Sequence, residues 1–537
     1  SVTCLGQSAL TSPHSGLSQM EMTHFTAAVA LFPASSIITA VQQQDYSASV
    51  WLRRKEKLEH SQQKCIVIFA LVCCFAVLMA LIFSAVDIWG EDEETEEECS
   101  SNCSIVLVEN IPADMWFSDD SAFHLPLSTG LNSLLDKARV DVEIVSPVWL
   151  LNSIGLFQGR ALLSRLQGLK DKGIQLKIST GDFDSAELKT LADNHDAEVH
   201  EVNMTALTKG FLKSSFWVVD RKHFYIGSAS MDWRSLTTVM KELGVVVYDC
   251  KPLALDLHKI FSLYWGLQHK TFIPTFWSKR LFPFFSKEKP GSLLVNQTKV
   301  ETYISSSPHV FITKDRSSDL EAISAVIQQA RHFIYISTID YLPLLLDMQR
   351  YWSRIDGLLR EALILRKVHI RLLISCWEET HPLTFNFIWS LKSLCMEQAN
   401  CSLEAVSKFF KVQRDSDLSG MNHNRFMVTD RAVYIGNLDW VGKEFNYNAG
   451  AGLVISHPEN VAERNSTVVE QLQAVFKRDW FSRYANTIQT NKIPVCSKQQ
   501  INKSVLFKSV SPPTFTKTKT NNAQPANTTH QYQYMYW

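Results

Sequence analysis

Two stretches of this chain, about two hundred residues apart, are written on one frame. The first reads LKSSFWVVDRKHFYIGSASMDWRS, Leu212 to Ser235, and the second reads MNHNRFMVTDRAVYIGNLDWVG, Met421 to Gly442. Each has a short hydrophobic strand, an Asp, a charged turn, a strand ending in aromatic-Ile-Gly, and then Asp-Trp. A frame repeated at this distance predicts an internal duplication, which restricts the fold before any other feature is considered. The order of elements around the two copies agrees. The first has a buried strand at Val140–Leu151, a helix near Gly159–Lys172, a strand at Ile174–Thr180, a helix around Ser185–Asn194 and the strand AEVHEVN. The second has a strand at Phe333–Leu344, a helix near Ser353–Leu365, a strand at Val368–Ser375, a helix near Thr384–Gln398 and the strand SLEAVSKFF. Helices at Ala254–Trp265 and Val461–Tyr484 close the two units. Strands alternating with helices predict the α/β class, as two α/β halves packed about a pseudo-twofold.

The chemistry-bearing positions differ between the copies. The second holds His423-x-Arg425-x4-Asp430, and the first holds Lys213-x-Ser215-x4-Asp220 at the matching places. His-x-Lys-x4-Asp in two halves is the signature of the phospholipase D superfamily, which this chain resembles over roughly residues 105 to 490. The strings GSASMDWRS and HNRFMVTDRAVYIG resemble its animal type II membrane branch, whose active members are similar to lysosomal 5′ exonucleases for single-stranded nucleic acid. The resemblance implies a duplicated phospholipase D-like fold. It also implies one His that attacks phosphorus, a second His that moves protons, and two Lys and two Asn that hold the phosphate oxygens.

Carried over position by position, Lys213 stands for the first His, Ser215 for the first Lys and Ser230 for the first Asn. His423 is kept, Arg425 stands for the second Lys, Asp439 for the second Asn, and Asp220 and Asp430 are kept. A Lys amine titrates near ~10.4 and is protonated and non-nucleophilic unless strongly desolvated. Ser215 removes a cation, and Asp439 puts a negative charge where an anionic phosphate would sit. The expectation is therefore a catalytically inactive pseudoenzyme with a binding or regulatory role and no cofactor or metal. The alternatives are a residual phosphodiesterase or 5′ exonuclease using His423, and an assembly partner of an active family member. The remnant cleft is expected to take a phosphate-bearing ligand weakly, more strongly in acid, and a homodimer or family heterodimer is a further expectation. A nucleic-acid partner stays open, since a net charge of −1 gives no basic body.

Ahead of the frame lies CIVIFALVCCFAVLMALIFSAV, Cys65 to Val86, 22 residues without a charge. That length spans a bilayer as a helix. Basic residues precede it (Arg53, Arg54, Lys55, Lys57, Lys64) and acidic ones follow (Glu91 to Glu98), which predicts a single-pass type II signal-anchor with the body in the endomembrane lumen or outside the cell. Expected divisions are residues 1–64 cytoplasmic and largely disordered, 65–86 the transmembrane helix, 87–104 an acidic luminal stalk, 105–290 and 291–490 the two halves, and 491–537 a partly disordered tail. Sequons at Asn102, Asn203, Asn296, Asn400, Asn465, Asn502 and Asn527 all follow the span, marking a glycoprotein. Seven Cys after the span predict disulfides, without fixing which pair. Between the halves, TFIPTFWSKRLFPFFSKEKPG (Thr271 to Gly291) reads as a packed linker, or as an interfacial surface for lipid or a base.

Overall fold

The apolar runs that alternate with helices join one large mixed sheet. The computed structural model describes residues 66–79 and 102–496, apart from 114, 119–122, 153–156, 182–183, 237–238, 346–349, 395–404, 411–420, 458–466 and 489–493. One wing of the sheet is built from β1 (Asn102–Asn110), β2 (Asp141–Ser146), β3 (Gln175–Thr180), β4 (Glu198–Glu201), β5 (Phe216–Val219), β6 (His223–Gly227) and β7 (Glu242–Tyr248). The strands neighbour one another as β1-β7-β6-β5-β2-β3-β4, with β2, β3 and β4 mutually parallel and the other pairs antiparallel. Every residue of β2 is buried, as expected of a strand covered on both faces.

The other wing contains β8 (Gly291–Val295), β9 (Thr298–Ser307), β10 (Phe333–Thr338), β11 (His369–Ser375), β12 (Ala405–Phe410), β13 (Phe426–Thr429), β14 (Ala432–Gly436), β15 (Gly450–Ser456) and β16 (Ala485–Thr487). Its order is β8-β9-β15-β14-β13-β10-β11-β12-β16, with β10, β11 and β12 mutually parallel. From β9 to β12 this is the pairing order of the first wing. The start of β1 pairs in parallel with the end of β8, Asn102 opposite Leu294 and Cys103 opposite Val295. The main helices are α1 (Leu127–Lys137), α2 (Phe157–Gln167), α3 (Ala186–Asp193), α4 (Lys251–Trp265), α5 (Asp319–Gln329), α6 (Asp356–Ile364), α7 (Pro382–Lys392) and α8 (Val468–Phe481). Capping boxes start α5 (Ser318 with Glu321) and α8 (Thr467 with Glu470), satisfying backbone donors that the first turn leaves unpaired.

The wings are stitched reciprocally. The residue before Lys213, Leu212, bridges Ala449, and the residue before His423, Asn422, bridges Lys241. The Lys213 and Ala449 N–H groups donate to Ala449 O and Phe211 O at 2.8 and 2.9 Å, and the His423 and Lys241 N–H groups donate to Lys241 O and Met421 O at 2.8 and 2.9 Å. A buried ion network sits beneath the second stitch. Arg478 of α8 donates to both Glu109 oxygens at 2.7 Å, and Lys241 Nζ lies 2.7 Å from the Asp479 carboxylate. Removing such charges from water is tolerable only because each is paired.

Several expectations change. The stretch Val140–Leu151 is not one strand, because β2 stops at Ser146, whose hydroxyl donates to Val148 O at 2.7 Å and accepts from Met231 N at 2.9 Å. Likewise β10 ends at Thr338. The stalk is shorter than 87–104, since Cys103 is a buried member of β1 and is disulfide-bonded to Cys250. A second disulfide joins Cys376 to Cys496. Residues 66–79 are helical, the rest of the proposed span lies outside the described residues, and among the described residues no helix is long and apolar enough to cross a membrane. The 1–64 region, nearly all of the 491–537 tail, and Asn400, Asn465, Asn502 and Asn527 also lie outside them. The linker Thr271–Gly291 is partly packed, with Ile273, Trp277, Leu281 and Phe285 against the core, while Phe272, Phe276 and Phe284 are exposed.

Candidate functional site

Four of the eight frame positions converge where the wings are stitched, and Asp439 is their centre. It follows β14 just beyond Gly436 and is buried. Arg425 grips its carboxylate with two parallel bonds, Nε to Oδ1 at 3.0 Å and Nη2 to Oδ2 at 3.1 Å, the geometry a guanidinium uses for a carboxylate or a phosphate. Lys213 arrives from the other wing, with Nζ 3.8 Å from Asp439 Oδ2 and 3.2 Å from Glu444 Oε1. His423, beside them on the incoming strand, holds Nδ1 3.3 Å from Glu242 Oε1, and its Nε2 is buried without a hydrogen-bond partner.

Electrostatics holds the Asp439 and Glu242 carboxyls in their charged form. Burial opposes the Asp439 charge, but the Arg425 and Lys213 cations outweigh it and hold the carboxyl below its ordinary range. Glu242 behaves alike: burial raises it, while His423, the Ser228 hydroxyl and Arg425 bring it below its usual value. Ser228 and Ser235 donate to the two Glu242 oxygens at 2.5 and 2.9 Å. Asp340, just past β10, goes the other way. Burial, and then the charge of Asp439, push its pKa up to about 7, although Trp377 Nε1 lies 3.3 Å from one of its oxygens.

The remaining positions do other work. Ser215 is buried, and its hydroxyl donates to Ala229 O at 2.5 Å, so it closes its own hairpin and does not point a charge at the site. Ser230 is half-buried two residues before Asp232. Asp220 and Asp430 are five residues along the chain from Ser215 and Arg425, roughly 16–17 Å at strand rise, at the far end of each hairpin. Asp220 accepts from the Arg139, Val140 and Asp141 N–H groups at 2.8 to 3.0 Å, and Asp430 from Arg331, His332 and Phe333 at 3.0 to 3.3 Å. Each therefore pins the entry to β2 or β10. Among the described residues no group of His, Cys, Asp and Glu has metal-holding geometry.

The frame alone did not reveal Glu242, Glu444, Asp340 or Asn437. Glu242 and Glu444 stand in the sequence as acids directly after a Lys, with apolar residues or Gly around the pair, in KELGVVV and VGKEF. Asn437 carried no such mark, yet its side chain donates to Gly227 O at 2.6 Å in one wing and accepts from Ala451 N at 3.1 Å in the other.

Comparison with known proteins gives the relatives of the chain. The family described as "PLD3/4, PLD-like domain" matches residues 118–415. The chain is 50% identical to inactive phospholipase D5 of Mus musculus over 510 residues, covering 90% of this chain and 93% of that one. It is 48% identical to inactive phospholipase D5 of Homo sapiens, with the same coverage. It is 37% identical to 5′-3′ exonuclease PLD3 of Xenopus laevis, over 79% of this chain and 90% of that one.

Proposed function

The chain belongs to the PLD3/4 family of phospholipase D-like proteins, and on that premise we propose that it is a non-catalytic, membrane-anchored member whose own carboxylate occupies the phosphate position. The observation that carries this reading is the bidentate Arg425–Asp439 pair, with Lys213 on the same carboxylate. Phosphodiester cleavage in this frame needs cations free to meet developing negative charge. Here both face an anion that the chain itself supplies. The nearby carboxylates Asp439, Glu444 and Glu242 outnumber Lys213 and Arg425, so an incoming phosphate meets repulsion. Lys213 cannot attack phosphorus as an imidazole does. A phosphate-bearing ligand would bind weakly and only by displacing Asp439.

The reading includes an internal duplication about a pseudo-twofold, supported by the repeated strand order and the reciprocal stitches. It also includes a type II anchor at Cys65–Val86 with a glycosylated luminal body, supported by the charge asymmetry around that run. A second reading rests on His423. Its Glu242 partner orients the ring, as a base or nucleophile requires, and its Nε2 has no bond to break. Turnover on single-stranded DNA, RNA and phosphatidylcholine from acid to neutral pH, with rapid-quench trapping of phosphohistidine and an active relative in parallel, separates the two. No turnover and no adduct are expected. Hydrolysis that disappears in His423→Ala would establish the second reading.

A further inference from the structure

Residues 270–290 carry five Lys or Arg (Lys270, Lys279, Arg280, Lys287, Lys289) against one acid, Glu288. Their backbone is held firmly. Both Asp256 carboxylate oxygens accept from the loop, from Phe284 N at 2.7 Å and Phe285 N at 3.0 Å. Leu281 O accepts from Thr313 Oγ1 at 3.2 Å, and Lys287 N donates to Ser317 Oγ at 2.8 Å. Trp277 packs edge-on against Phe311, and Phe285 covers Gly291. With its packed face fixed in this way, the segment keeps Phe272, Phe276 and Phe284 in solvent at 67, 88 and 47% exposure, among exposed Lys279, Arg280, Lys287 and Lys289.

This linker turns Phe272 and Phe276 outward from its packed base, and a third ring, the half-exposed Phe284, lies under the Lys259 ammonium at 3.1 Å. Exposed aromatics interleaved with basic side chains suit one environment well. The rings enter the headgroup boundary of a bilayer while the cations meet anionic phosphates. The topology gives the segment a direction. It leads into β8, which runs parallel to β1, its end beside the start of β1 with Asn102 opposite Leu294. The loop therefore enters the sheet from the side at which β1 also begins. We propose that residues 270–290 form a contact surface for anionic phospholipid that seats the body on the membrane. The orientation argument rests on the anchor reading above, while the charge and aromatic argument does not.

The test places the chain in nanodiscs of phosphatidylcholine alone or with added phosphatidylserine, and follows amide hydrogen exchange. Slowing of several-fold in peptides from 270–290 is expected in the anionic discs, lost in Lys279→Glu with Arg280→Glu and in Phe272→Ser with Phe276→Ser. Peptides from α4 should be unchanged, reporting an intact fold. Equal exchange in both lipids, or protection that appears only when two chains share a disc, would overturn the proposal, the latter pointing to a second copy. A chain that fails to co-purify with neutral discs would instead count against the anchor.

Discussion

Asp439 is the carboxylate on which the two cations of the site converge. Its oxygens accept from Arg425 as phosphate oxygens would, and Lys213 stands on the same side. Asp439→Asn keeps the shape and removes the charge, leaving Arg425 without its bidentate anion and Lys213 with Glu444 alone. Stability should fall, by up to about 3–5 kcal/mol where a buried pair loses a partner. Added inorganic phosphate should then raise the melting temperature of the variant and leave the parent nearly unmoved. Equal responses would show that Asp439 does not stand in for phosphate. Asp340 gives a second prediction. An unfolded Asp titrates near ~3.9, whereas burial and Asp439 hold this one at about 7. Between those values the folded state keeps the extra proton. The stabilising contribution of Asp340 is therefore complete below the unfolded value and is lost as pH rises through about 7. Asp439 and Glu242, held low, act in the opposite sense and lose their contribution only in stronger acid. Denaturant midpoints of parent and Asp340→Asn should diverge between about pH 4 and pH 8, with the parent losing ground as pH rises. Parallel curves would mean that Asp340 titrates normally.

At the scale of elements, periodicity revealed most strands and helices and little of what holds them in register. The helix expected around Ser185–Asn194 is Ala186–Asp193, and the strand expected at Ile174–Thr180 is Gln175–Thr180. The apolar run Val140–Leu151 hid a break, because a hydroxyl–carbonyl bond at Ser146 leaves no trace in hydropathy. The frame placed Lys213, His423, Arg425 and Asp439 together, since each lies at the open end of its hairpin, where the two wings are stitched. It did not distinguish them from Asp220 and Asp430, which lie a strand length away and pin backbone. It also missed the partners Glu242 and Glu444, because pairing across wings depends on three-dimensional stitching. One element carries much of that stitching. Arg478 on α8 meets Glu109 of β1, and the adjacent Asp479 meets Lys241, whose carbonyl holds His423 N. Arg478→Ala strands Glu109 in the interior, so a loss of about 3–5 kcal/mol is expected in equilibrium unfolding. Arg478→Met paired with Glu109→Leu should recover much of it, since apolar residues of similar volume often replace a buried pair at little cost. A single variant as stable as the parent would show that the network contributes little.

At the scale of the whole molecule, the sidedness of the body can be read from two sequons that the fold treats differently. Asn203 is exposed at the start of a short helix (Met204–Leu207), where its Oδ1 accepts from Ala206 N at 2.9 Å. That bond uses only the oxygen, so Nδ2 is left to carry a glycan. Asn296 has both amide atoms engaged by one residue of β1, with Nδ2 donating to Ile105 O at 2.8 Å and Oδ1 accepting from Ile105 N at 3.0 Å. Its φ of 48° places it in the left-handed region, which Asn tolerates better than most residues. A glycan on Nδ2 would take one of its two hydrogens and crowd the pairing of β1 with β8. If the basic flank of Cys65–Val86 faces the cytoplasm, the body meets the glycosylation machinery. Peptide mass mapping should then find Asn203 occupied and Asn296 largely bare. Asn203→Gln should raise mobility by one glycan on a gel, and Asn296→Gln should leave mobility unchanged while lowering stability, because the carboxamide is displaced from Ile105. Protection of the body from protease in sealed microsomes should accompany the Asn203 glycan. A bare Asn203 on a body digested from the cytosolic side would reverse the orientation, whereas a fully occupied Asn296 would leave the orientation standing and refute the link between its hydrogen bonds and glycan exclusion.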